Sequence, residues 1–435
     1  MKNLAESFTG RTPLILASFL FLLLVFWLAT PFDFSWPGTV WLMEDQFSVA
    51  EAIARMRHGN LMRRIALLML AAFSLFSLAW TKNRYRLNSI TALLMILYLG
   101  LILLSLAWSV DVVFTLRRVV IVCILWFAAT VAAARFSLRE LALLAVLVTG
   151  TTLLLAVGNE LRLQTMDPAD ELWRFAGLFH TVTMGWNCGL LAISALFLLH
   201  GEERVGRRFL LAVVIIFALV FLLLTKSRMA VVATLVGMGY FRFRLSSPGD
   251  RILVILGVII ITCLAYLSLG DRLLSLGEEA STLGRGEAAR ESVGSLTGRT
   301  LLWAECFRWA AQRPLRGYGF NTFISPEHVD TIARNVGWLP NSTHSGYLDA
   351  LLGIGYPGAV VLILFLLSAF IRSLLLSRNV AEHGAEYDFA GAVLLWLAFN
   401  LFLEANLITR PLFMTFFSMC VLARLALLPA GEWER

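Results

Sequence analysis

Apolar runs of bilayer-crossing length follow one another along almost the whole chain, and little else about its fold is as tightly constrained. They lie near 13–30, 64–80, 90–108, 118–134, 140–157, 183–200, 209–225, 229–241, 252–269, 356–376, 388–405 and 411–428. A helix needs about 20 mostly apolar residues to cross the hydrocarbon core, and in lipid each segment must satisfy its own backbone polar groups. The expected fold class is therefore an all-α polytopic membrane protein with about 12 transmembrane helices. No small-residue cleavage site follows the first run, Leu14 to Thr30, so it is read as a retained helix. Composition agrees: 59% of the 435 residues are apolar and only 15% charged, too few charges to cover a soluble domain of this length.

Alternate connections carry the basic clusters: Lys82, Arg84 and Arg86; Arg135 and Arg139; Arg204, Arg207 and Arg208; Arg242, Arg244 and Arg251; Arg372 and Arg378. The positive-inside rule assigns these connections to the cytoplasm and residues 158–182 and 270–355 to the outer face. Arg55, Arg57, Arg63 and Arg64 depart from that pattern. The chain then divides into helices one to nine (1–269), a large helical outer loop (270–355) and helices ten to twelve (356–435). Within the loop, "RTLLWAECFRWAAQRP" sets Leu302, Cys306, Trp309 and Ala310 on one helical face, ended by Pro314. Ser325 and Pro326 read as N-cap and first residue of a short helix through Arg334.

Several basic residues fall on the side where the orientation rule does not want them. Lys226 and Arg228 occupy an outer hairpin, Arg299 opens the loop helix, Arg316 precedes "GYGF", Arg410 sits in the turn "ANLITRPLF", and Arg117 and Arg118 end a span. Any one of them can be explained by snorkelling or by pairing with Glu305, Asp349 or Glu404. Gathered on one face, they suit an anionic ligand, because the guanidinium fork donates paired hydrogen bonds to phosphate. His344, in "NSTHSGYLDALLGIGYPG", is placed at the outer mouth of the bundle as a proton acceptor. Gly353, Gly355 and Gly358 suit a tight turn and close helix packing.

Other chemistries find no motif. Paired-His or Cys metal spacing, a Gly-Lys-Ser phosphate loop and a G-x-S-x-G elbow are all missing. Asp167 and Asp170 are spaced wrongly for a metal-holding Asp-x-Asp pair. The expected chemistry uses no metal and no cofactor, with arginines in the cation's place. No basic, aromatic-interleaved segment suggests a nucleic-acid partner. Of the five cysteines only Cys306 falls in the long loop, which leaves it no disulfide partner there.

His344, Ser345, Gly355 and Gly358 match the spacing His, then Asn, Ser or Gln, nine residues, Gly, two residues, Gly. In this the chain resembles the O-antigen ligase/polymerase superfamily. "TKSRMA" with Arg228, "GRTLLWAECFRWAAQRPLRGYGFNTF" with Arg299, Trp303 and Gly317–Gly319, and "WSVDVVFTLRR" also look like blocks of that family. The resemblance covers roughly residues 100–420 and is closest to exopolysaccharide polymerases of the succinoglycan type. It implies a GT-C-like glycosyltransferase of the bacterial inner membrane with its site facing the periplasm. The donor would be a glycan on undecaprenyl diphosphate, and the acceptor another lipid-linked glycan or, for a ligase, lipid A–core. Polysaccharide export or chain-length regulators would be further partners. His344 would act as general base or acceptor-positioning group, Arg228 and Arg299 would hold the diphosphate, and Arg316 and Arg410 would assist. His180, in "FAGLFHTVTMG", stands where relatives carry His-Lys-Asn, but the Lys-Asn pair is missing and the spacing is one residue shorter. Outside this class, a lipid-linked oligosaccharide flippase would also need phosphate-binding arginines, but it should show related halves. A scaffolding membrane protein would give the outer arginines no purpose.

Overall fold

The computed structural model of the chain describes residues 13–29, 61–80, 85–86, 89–170, 173–247, 249–251, 299–336, 340, 342–380, 383–404 and 413–429. Among these the fold is helical apart from one two-residue antiparallel pair, β1 (Tyr85–Arg86) with β2 (Leu428–Pro429). The helices are α1 (Pro13–Ala29), α2 (Leu61–Trp80), α3 (Ile90–Leu104), α4 (Val112–Arg135), α5 (Leu138–Leu163), α6 (Thr181–His200) and α7 (Val205–Leu224). They continue with α8 (Arg228–Leu245), α9 (Arg299–Gln312), α10 (Pro326–Val336), α11 (Gly346–Asn379), α12 (Gly384–Leu403) and α13 (Phe413–Ala426). Eight helices among the described residues are long and apolar enough to cross a membrane, and α1 and α13 are shorter apolar helices. The expected ninth span, 252–269, lies outside the described residues. α8 carries Arg228, Arg242 and Arg244 at its ends, which keeps it from counting as an apolar span, yet it packs between α6 and α12.

The apolar surface divides as a bilayer would require. α7 turns Phe209, Ile216 and Val220 outward, whereas α6 is buried almost throughout and α13 along nearly its whole length. Between helices the inner faces are joined by aromatic contacts, such as Phe197 stacked on Phe389 at 4.3 Å and Trp186 edge-on to Trp396 at 6.3 Å. In lipid, dispersion and close fit rather than water exclusion hold such helices together.

The two ends of the bundle differ in chemistry. At one end Arg139 donates to the Gly201 carbonyl, Arg424 to the Ala133 carbonyl, and Arg135 to Ser18. There too Arg244 pairs with Asp388 at 2.7 Å and reaches Ser377. Every basic cluster of the expected cytoplasmic connections that is described lies at this end. α4, α6, α8 and α11 all begin at the other end, where the sequence-predicted site residues gather.

α9 and α10 form a cap over that second end. α9 buries Leu302, Glu305, Cys306 and Ala310; of the face expected from the sequence Trp309 is only half-buried, and Glu305 is added. α10 opens at Pro326, as the Ser325-Pro326 pair predicts. Tyr318, Phe323, Ile332 and Leu352 join the cap to α11 in a small core of its own.

Candidate functional site

The tenth expected span does not begin at residue 356. α11 starts at Gly346, runs for about two turns, breaks at Ile354 and Gly355, and resumes through Pro357 to Asn379. The break follows from the sequence: Gly355 sits at φ 74, ψ −176, a region essentially reserved for glycine, and proline is suited to a first helical turn. The half-helix before the break lies across the end of the bundle. Its start is bonded to α12, with Gly346 N–H donating to the Glu404 carbonyl at 3.0 Å. Its far end meets the "GYGF" loop, where Tyr318 N–H donates to Leu352 O and Gly319 N–H to Gly353 O.

That far junction is backbone against backbone. A Cβ on Gly355 would lie 2.5 Å from the Leu315 carbonyl carbon, and one on Gly317 would lie 2.5 Å from the Leu352 oxygen. The same loop is tied to the turn before α4: Val110 N–H donates to Tyr318 O, Phe320 N–H donates to Ser105, and Thr115 meets Thr322 through their hydroxyls. The blocks "WSVDVVF", "GYGF" and "LGIG" thus form one joint that fixes where the half-helix points.

At the other end of the half-helix stands His344. It has φ 54, left-handed for a non-glycine residue, and both its neighbours are pinned. The Thr343 carbonyl accepts Trp303 Nε1–H from α9 at 3.0 Å, and the Thr343 hydroxyl donates to Asp349 at 2.6 Å. Ser345 is the N-cap of α11, so His344 precedes the helix by two residues rather than opening it. The ring's Nδ1 lies 4.0 Å from Glu404 Oε1.

Glu404 ends α12 and links the site. Arg299, the first residue of α9, donates to its Oε1 at 3.0 Å, and both side chains are mostly buried. Burial, the largest single influence, would raise the Glu404 pKa, but the His344 ring, Arg299 and His180 together outweigh it and hold the carboxyl below its ordinary range. Arg228, the first residue of α8, is close enough to Arg299 for their charges to repel. Two cations therefore lie within electrostatic range of each other at the starts of two helices, where the helix dipoles add positive potential. This is the electrostatic layout of an anion site.

Of the sequence-predicted residues, the fold brings together His344, Arg299 and Arg228, with Ser345 as cap and Gly355 and Gly358 at the break. Gly358 packs against the Ile354 side chain. Arg316 is exposed in the turn after α9, at the opposite end of that helix from Arg299 and so roughly 20 Å away along its axis. Arg410 lies outside the described residues. Two members were missed as site residues. Glu404 entered only as a salt-bridge partner, and His180, which caps α6 by accepting Val182 N–H, had a broken motif around it. Its acidic character on the face that gathers the outer arginines was the one signal available for Glu404. Among the described residues, no group of three His, Cys, Asp or Glu side chains is arranged to hold a metal ion.

Comparison with known proteins bears on the same segments. No curated protein gives a significant match. Residues 211–363 match the family model described as O-antigen ligase, a stretch that runs from α7 to the resumed part of α11 and includes Arg228, Arg299, Arg316, His344, Gly355 and Gly358. His180 and Glu404 fall outside the matched stretch. The match covers about a third of the chain and supports its membership of the O-antigen ligase-like superfamily.

Proposed function

We propose that the protein is a metal-independent, GT-C-like glycosyltransferase that moves glycan from undecaprenyl diphosphate to a sugar hydroxyl at the periplasmic face of the bacterial inner membrane. Its reaction, in this reading, polymerises lipid-linked repeats of an exopolysaccharide or O-antigen. The 270–355 segment would be the catalytic loop between two sets of transmembrane helices. The observation that carries the reading is the convergence of His344, Arg299 and Arg228 at the end of the bundle opposite the basic clusters. The positive-inside rule supports the outer position of the site, since the opposite end carries the basic clusters.

The chemistry follows from the placement. The acceptor hydroxyl attacks the anomeric carbon as the bond from that carbon to the diphosphate oxygen breaks. His344 takes the hydroxyl proton, and Arg228 and Arg299 meet the charge that grows on the departing diphosphate. Attack from the face opposite the leaving group inverts the anomeric configuration. The pinned neighbours of His344 and the helix-start positions of the arginines supply the fixed geometry that such stabilisation needs.

The test is complementation of a strain lacking its own polymerase or ligase, with envelope glycans resolved by length. His344→Ala should lower transfer by about 10²–10⁴-fold at normal membrane abundance, the range for loss of a general base. His344→Gly, which suits the left-handed backbone, should be equally inactive, separating the ring's role from backbone strain. Arg228→Ala and Arg299→Ala should each lose about 10²–10³-fold, as for removal of one charge-stabilising donor. A fully active and stable His344→Ala would end the catalytic assignment. Product on lipid A–core rather than on longer lipid-linked chains would make the enzyme a ligase.

A further inference from the structure

Arg299 is already occupied. Its Nη2 is 3.0 Å from Glu404 Oε1, in a pair whose side chains are only 18% and 14% exposed. While the carboxylate holds Nη2, an incoming diphosphate must share or displace that contact to engage the whole guanidinium fork. The same carboxyl oxygen lies 4.0 Å from His344 Nδ1, so a modest side-chain swing would carry it from Arg299 to the imidazole. The Glu404 backbone need not move, because its carbonyl is fixed by Gly346 N–H at 3.0 Å.

We infer that Glu404 is an exchangeable stand-in for the donor's diphosphate: it holds Arg299 in the empty site, yields it to the incoming diphosphate, and then turns to His344. The inference rests on the proposed diphosphate role of Arg299. It makes Glu404 a positioning residue that acts through two others. In the empty state it neutralises a mostly buried arginine that lies within electrostatic range of Arg228. In the loaded state a carboxylate on Nδ1 would hold a proton there and leave Nε2 to accept the proton of the attacking hydroxyl. Donor binding would thereby ready the base, and the two events would be linked by one side chain.

The experiment titrates a polyprenyl diphosphate without sugar into the full-length protein in detergent. It compares wild type, Glu404→Gln and Glu404→Asp, each with and without Arg299→Ala. Loss of the competing ion pair should make Glu404→Gln bind about tenfold tighter, the scale of one charge-assisted hydrogen bond. Glu404→Asp keeps the charge but shortens the reach, and should also bind tighter than wild type. Both gains should vanish on the Arg299→Ala background. In turnover assays Glu404→Gln should show a lower KM for the donor together with a lower kcat. Glu404→Gln or Glu404→Asp binding no tighter than wild type overturns the exchange, and so does a gain that survives Arg299→Ala, which would be bulk charge repulsion. A donor KM and kcat that both stay at wild-type values overturn the His344 half of the inference. Absence of binding by wild type and every variant would instead remove the diphosphate site itself, and the exchange with it.

Discussion

His344 shows how a single residue is made into a fixed group rather than a loop side chain. Its left-handed backbone costs about 1–2 kcal/mol in a residue with a Cβ, and such conformations persist where the surroundings over-determine them. Here Thr343 is tied to α9 and to Asp349, and Ser345 is tied to α11. Glu404 is the complementary case, a carboxyl in a mostly buried place that the nearby His344 ring, Arg299 and His180 hold below its ordinary range. A carboxyl whose pKa is lowered on folding stabilises the folded state above the ordinary glutamate pKa of about 4.3 and loses that contribution as pH falls through its folded value. The difference in melting temperature between wild type and Glu404→Gln in detergent should therefore shrink as pH falls from 6 towards 3. A difference that stays constant over that range would mean that the ion pair is not what Glu404 contributes.

At the scale of elements, the broken helix α11 is the device that sets the site. A continuous helix from Gly346 to Asn379 would project His344 beyond the end of the bundle. The break lays the half-helix across it instead, anchored at α12 on one side and at the "GYGF" joint on the other. Gly355 is the residue this depends on, because its φ and ψ are glycine-only and its missing Cβ leaves room for the Pro314–Leu315 backbone. Gly355→Ala should cost about 1–3 kcal/mol for the backbone conformation alone, with the clash in addition. Gly206→Ala, at an open position in α7 with nothing within 4 Å, should be neutral or mildly stabilising, since alanine is the better helix former. Thermal melts of the two purified variants would check this. Equal melting temperatures would mean that the joint yields at little cost.

For the whole molecule, the asymmetry between the ends predicts an orientation. Arg139, Arg244, Arg251 and Arg424 all make their contacts at one end, while Arg228 and Arg299 lie at the other, with Arg316 in the cap. A membrane-impermeant thiol reagent added outside spheroplasts should label Arg316→Cys, which is exposed on the cap. It should label Arg207→Cys, at the start of α7, only after the membrane is permeabilised. The reverse pattern would turn the molecule over and move the site to the cytoplasmic face.

The amino-acid sequence by itself determines much at the element scale. Each of the described membrane helices lies on an apolar run that stands out from its charged borders, because lipid leaves a spanning segment no other way to satisfy its backbone. The Ser325-Pro326 start and most of the buried face of α9 are legible for similarly local reasons, and His344, Arg228 and Arg299 stand out as candidates on local signals too. The break in α11 is half legible: Gly355 and Pro357 are visible, but both also suit an ordinary turn before a helix. Only tertiary structure decides which residues meet. Glu404 is 60 residues from His344 in the chain and 4.0 Å from it in space, a relation that no periodicity encodes. Arg316 and Arg299 look equivalent as outer arginines, yet the axis of α9 sends one into the site and the other onto the exposed cap. A helix's own sequence fixes that it forms and which face is apolar; its partners and its depth are fixed by the packing of all the helices together.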